Sequence, residues 1–150
     1  MLSTGAMRRM SASQLHPLDA NTFMHAVIAC SSVPLFLGAL LSDWAYSGSF
    51  QVQWLNFAAW LTAAGLLVVG PALLWGAVDV LRRASSRHLR SRVYLSLLLA
   101  TFLLGFINSL MHGKDGWAAM PAGLVLSAVV ALLALTASVM GLASLSRRAA

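Results

Sequence analysis

The chain has 150 residues, of which 59% are hydrophobic and 9% charged, and its mean hydropathy is +0.80. A water-soluble domain usually carries roughly a quarter charged residues, so too few charges are present to solvate a globular exterior. The formal net charge of +6 does not imply a nucleic-acid partner, because the arginines fall in short clusters between long apolar stretches and build no basic face.

The N-terminal tail, 1–21, opens with Arg8 and Arg9 and is polar from 11 to 21. The apolar run after it is long enough to span a bilayer, so a retained helix is expected and not a cleaved signal peptide. Four apolar stretches follow in order: 22–45, 55–81, 93–111 and 117–145. Each approaches or exceeds the roughly 20 residues that cross a hydrocarbon core about 30 Å thick. They lack the alternation of membrane strands, and a helix satisfies its own backbone in lipid. The expected fold is an all-α integral membrane antiparallel four-helix bundle over 22–145, followed by a short tail, 146–150.

Lysine and arginine near helix ends set orientation. One side receives Arg8, Arg9, Arg82, Arg83, Arg87, Arg90, Arg92, Arg147 and Arg148; the other receives Lys114 alone. Both termini and the loop 82–92 are therefore expected in the cytoplasm of a bacterial-type inner membrane. Trp44, Tyr46, Trp54 and Trp117 then mark the opposite interface. The basic loop should attract anionic lipid head groups, at about 1 kcal/mol per charge near the surface. The outer loops, 47–53 and 113–116, have no room for a folded domain.

Membrane helices associate through close packing of small residues and a few hydrogen bonds, so each should carry one small or polar stripe. Helical spacing connects His25, Ala29, Ser32, Phe36, Ala39 and Asp43 on the first. On the second it connects Ala58, Thr62, Gly65, Val69, Ala72, Gly76 and Asp79. The third gives Thr101, Gly105, Asn108 and His112. The fourth gives Met120, Gly123, Ser127, Ala131, Ala134, Ser138 and Gly141. Pro34 and Pro71 should bend their helices, whereas Pro121 falls in a first turn, where proline is tolerated.

The same arithmetic sends the few ionisable residues to two rims. His25 and Asp43 share a face about 27 Å apart at 1.5 Å rise per residue. At the outer rim Asp43, Asn108, His112 and Asp115 form a candidate site for a metal ion or small polar ligand, since carboxylate and imidazole are common ligands. At the inner rim His25 and Asp79 form a candidate polar pair. The bland alternative for both sets is helix-end hydrogen bonding. Cys30 is the only cysteine, which excludes an internal disulfide and cysteine-rich metal sites.

No cofactor is expected. A haem between two histidines needs imidazoles at similar depth, and His25 and His112 fall at opposite rims, with His16 and His88 outside the core. Transport usually leaves charge near the bilayer centre, and none occurs there. No Gly-x-Ser-x-Gly elbow is present, and no histidine is placed to activate a serine.

Several strings carry a resemblance: His16-Pro17-Leu18 followed by His25; Gln53-Trp54-Leu55-Asn56-Phe57-Ala58-Ala59-Trp60; Gly105-Phe106-Ile107-Asn108-Ser109-Leu110-Met111-His112; Asp115-Gly116-Trp117; and Met120-Pro121-Ala122-Gly123-Leu124-Val125-Leu126-Ser127. With these the chain, from about residue 15 to 141, resembles a family of small bacterial inner-membrane proteins known as a domain of unknown function, number twenty-two thirty-one. The resemblance implies a location and a helix count and brings no activity. The expected role is that of a non-enzymatic accessory or structural bundle, self-associating or pairing with a membrane partner. Ligand binding at the outer rim and a redox or haem-associated subunit are the alternatives.

Overall fold

The computed structural model describes residues 20–82, 89–114 and 116–149. Five helices follow in order: α1 (Ala20–Ser49), α2 (Val52–Arg82), α3 (Leu89–His112), the short α4 (Gly116–Ala119) and α5 (Ala122–Ala149). Four of them are long and apolar enough to cross a membrane, over Val27–Ser49, Val52–Arg82, Ser91–His112 and Ala122–Ser144. The helices run on past the hydrophobic stretches, because a continuous helix keeps its backbone bonded through the interfaces as well.

The helices pack in a ring, α1 on α2 and α5, and α3 on α2 and α5. Each buries the stripe that its spacing defined. Ala29, Ser32, Phe36, Ala39 and Asp43 of α1 are buried, as are Ala58, Thr62, Gly65, Val69 and Ala72 of α2. Thr101, Gly105, Asn108 and His112 of α3 are buried too, with Gly123, Ser127, Ala131, Ala134, Ser138 and Gly141 of α5. Gly76 and Asp79, at the far end of α2, are only half-buried. The outer faces are large and apolar: Trp60, Leu67, Leu74 and Leu132 are all exposed, as lipid-facing side chains should be.

Glycine sets how closely the centre packs. A Cβ on Gly65 would stand 2.6 Å from Phe36 Cε1, and one on Gly105 would stand 3.0 Å from Leu66 Cδ2 and 3.7 Å from Phe36 Cε1. The Phe36 ring therefore lies between α2 and α3 in space that only a residue without a side chain leaves. Toward the Arg82 end, Ser138 Oγ donates to the Ala29 carbonyl at 2.9 Å, tying α5 to α1.

Two local features differ from the sequence expectation. The apolar stretch 117–145 is not one helix, because α4 stops at Ala119 and α5 starts at Ala122. Pro121 has no N–H to continue the ladder and disfavours helical geometry at Met120, which forces the break there. Tyr46, expected among interfacial aromatics, is buried against Leu55 and Ala119, while Trp44 is exposed. Pro34 and Pro71 sit inside unbroken helices on exposed faces, where the backbone groups they disturb face away from the core.

Between α1 and α2 the chain reverses within a few residues. Phe50 adopts φ 54° and its N–H bonds the Tyr46 carbonyl at 2.8 Å, closing the last turn of α1. Residues 1–19, 83–88 and 150, with Arg8, Arg9, Arg83 and Arg87 among them, lie outside the described residues, as do Asp115 and the Trp117 side chain, whereas α5 continues through most of the expected tail, 146–150.

Candidate functional site

The stripes of α1, α3 and α5 each end in polar residues, and the bundle brings those ends together where α3 finishes at His112. Asp43 stands on α1 two turns beyond Phe36, Asn108 and His112 lie one turn apart on α3, and Ser127 sits on α5 one turn beyond Gly123. All four are buried, with Asp43 0%, Asn108 1%, Ser127 2% and His112 8% exposed.

Their hydrogen bonds interlock. His112 Nε2 meets Asp43 Oδ1 at 2.8 Å, and His112 Nδ1 meets the Asn108 carbonyl at 2.8 Å. Ser127 Oγ donates to Asp43 Oδ2. Asn108 Nδ2 donates to Ser127 Oγ at 2.8 Å. The imidazole edge rests over Gly123, whose added Cβ would stand 3.8 Å from His112 Cε1.

These partners fix the proton count. The Asn108 carbonyl can only accept, so His112 Nδ1 carries a hydrogen. Nε2 faces a carboxyl oxygen, and a hydrogen bond there requires one proton between the two atoms. Whether that proton is drawn on nitrogen or oxygen, the Asp43–His112 unit is neutral in sum. Neutrality is what permits a carboxyl group and an imidazole to share a buried site in an apolar surround. Both carboxyl oxygens and both ring nitrogens are hydrogen-bonded within the bundle.

Serine, histidine and aspartate in one cluster suggest nucleophilic catalysis, but the connectivity is wrong. Activation requires the hydroxyl to donate to an imidazole nitrogen whose other nitrogen faces the carboxylate. Here the Ser127 hydroxyl donates to the carboxylate, and His112 turns its second nitrogen to its own helix. Metal ligation would require the proton between Asp43 and His112 to leave. Among the described residues no three His, Cys, Asp or Glu side chains converge.

Of the residues proposed from sequence for the outer rim, Asp43, Asn108 and His112 meet, and Asp115 lies outside the described residues. Of the inner pair, Asp79 is half-buried near the end of α2, and the His25 side chain lies outside the described residues. Sequence reasoning placed Ser127 on a packing stripe and missed its part in the quartet. Its hydroxyl joins two helices distant in sequence, and only the register of α5 against α1 reveals that.

No curated protein and no solved structure matches the chain. The profile of the family described as predicted membrane protein (DUF2231) matches residues 20–148, which takes in all four apolar spans and the whole quartet. The chain belongs to that family.

Proposed function

We propose that this chain is a non-enzymatic, multi-pass component of the bacterial inner membrane, with both termini cytoplasmic, which acts as an accessory or structural bundle. The observation that carries the reading is the quartet of Asp43, Asn108, His112 and Ser127, whose side chains bond one another across three helices. Its acid, base and hydroxyl are spent on joining α1, α3 and α5, which leaves neither a free nucleophile nor a free base. The work of such a bundle falls to its outer surface, which is apolar and fits lipid, a second copy or another membrane helix. The excess of arginine on one side supports the orientation.

Two measurements test this together. In a Cys30→Ala background, a thiol reagent that cannot cross the inner membrane should label Ser49→Cys and spare Ser146→Cys; the reverse pattern would refute the orientation. A photo-cross-linker at Trp60 or Leu67, on the exposed face of α2, should capture a second copy or a membrane partner in native membranes. Recovery of monomer alone would refute the accessory role.

A second reading is supported by the convergence of Asp43, Asn108 and His112: a metal ion or small polar ligand held at the outer rim. Stoichiometric metal in purified protein, lost in His112→Ala, would support it; no metal in either form would end it. A haem reading has less to stand on, since an axial ligand needs an imidazole lone pair and both His112 nitrogens are hydrogen-bonded.

A further inference from the structure

Three buried hydroxyls bond a carbonyl one turn back in their own helix, and those of Ser127 and Ser138 bond a neighbouring helix. Thr101 bonds Leu97, Ser32 bonds Ala29 and Ser42 bonds Gly38, at 2.7, 2.7 and 2.8 Å. Thr62 does not: its Oγ1 is buried and has no partner, although the residue is 0% exposed. Asn108 Oδ1 is likewise buried and unpartnered, while the other end of the same amide is fixed on Ser127. Among the described residues the third such atom is the Tyr94 hydroxyl, on the opposite half of α3.

Thr62 and Asn108 lie in one layer. Added Cβ atoms at Gly65 and Gly105 would both meet the Phe36 ring, so these glycines mark one level of the bundle. Thr62 precedes Gly65 by three residues on a helix running away from the His112 end. Asn108 follows Gly105 by three on a helix running toward it. Each therefore stands about 4.5 Å above the Phe36 ring at 1.5 Å per residue. On α1 the same step of three residues from Phe36 reaches Ala39, which is buried. The layer has Phe36 beneath it, the Asp43–His112 pair above it, and a donor on α2 and an acceptor on α3 that do not bond each other directly.

We propose that one water molecule is bound in this layer, accepting from Thr62 Oγ1 and donating to Asn108 Oδ1. Buried waters occupy polar sites with two to four partners, and a bridging water joins polar groups set too far apart for direct contact. The guest is neutral because the Asp43–His112 unit above it already balances its own charge, so a cation would add an uncompensated charge. The bound water extends the polar quartet to α2, the one long helix that the quartet leaves out.

Solid-state NMR of the full chain in bilayers tests this through magnetisation transfer from water. Wild-type protein should show transfer to the Asn108 side-chain amide and the Thr62 side chain. Transfer to Asn108 should be lost in Thr62→Val, which keeps the shape and removes the hydroxyl, and kept in Thr62→Ser and in Thr101→Val. No transfer in the wild type, or transfer unchanged in Thr62→Val, would overturn the assignment, and the wild-type measurement decides even if the variant misfolds. A shift of the Asn108 amide signals when sodium is exchanged for choline would identify a cation and overturn it as well.

Discussion

Asp43→Ala is expected to be among the most destabilising single substitutions in this chain, costing roughly 3–5 kcal/mol, because removing one member of a buried pair strands the other. The truncation leaves His112 Nε2 and the Ser127 hydroxyl without the oxygens they now face, in a layer where lipid and packed helices offer no replacement. The pair's own coupling is smaller. Interhelical hydrogen bonds in membrane proteins measure roughly 0.6 kcal/mol on average and reach about 1.7, so the larger figure is mostly the penalty of stranded groups. A double-mutant cycle tests this, because the double variant removes the pair without stranding either member. Asp43→Ala and His112→Ala should each lower the unfolding free energy in mixed micelles by several kcal/mol. The double variant should be more stable than the sum predicts by about 2–3 kcal/mol, because it leaves neither partner of the pair stranded. Strict additivity, or an Asp43→Ala protein as stable as wild type, would show that the quartet does not hold the bundle together.

The second large effect belongs to a residue with no side chain. Gly65→Ala places a methyl where Phe36 Cε1 and Cζ stand at 2.6 and 2.7 Å. Phe36 is 1% exposed and is held on its far side by α3 near Gly105, so its ring has little freedom to retreat. Overpacking of this kind costs about 1–3 kcal/mol, and here it pushes α2 away from α1 and loosens the Phe36 level as a whole. Phe36→Leu should recover much of the loss in the Gly65→Ala background while costing stability in the wild-type background. That exchange of sign, read from detergent melting curves, is the expected signature. A Gly65→Ala protein that melts with the wild type would mean that the two helices pack less closely than described.

The architecture was legible because lipid imposes a simple grammar. Long apolar runs with no charge near their centres become helices, and the small residues repeating along each run become the buried face, as Ala29 through Asp43 and Ala58 through Ala72 did. Spacing along one helix also sufficed to place Asn108 and His112 on one face and to bring Asp43 within their reach. What could not be read were features that depend on how helices register against one another. The Ser127 hydroxyl, the unpartnered Thr62 Oγ1 and the burial of Tyr46 against Ala119 all depend on which residues of a neighbouring helix stand at the same height. The break between α4 and α5 is different in kind, since Pro121 announced it locally; a run of apolar residues on both sides masked the signal.

The depth of the quartet ties the protein to the thickness of the bilayer it occupies. Asp43, Ser127 and Asn108 lie six, five and four residues inside the ends of their membrane spans at Ser49, Ala122 and His112, or roughly 6–9 Å along the axis. Lipids with short acyl chains bring phosphate and solvent down to that level, where competing donors and acceptors weaken each bond. Long chains submerge the same groups in hydrocarbon, where no alternative partner exists and separating α1 from α3 becomes more costly. Mismatch adds its own cost of fractions of a kcal/mol per Å, so the bundle is expected to hold together best where the acyl chains match its spans and still cover the quartet.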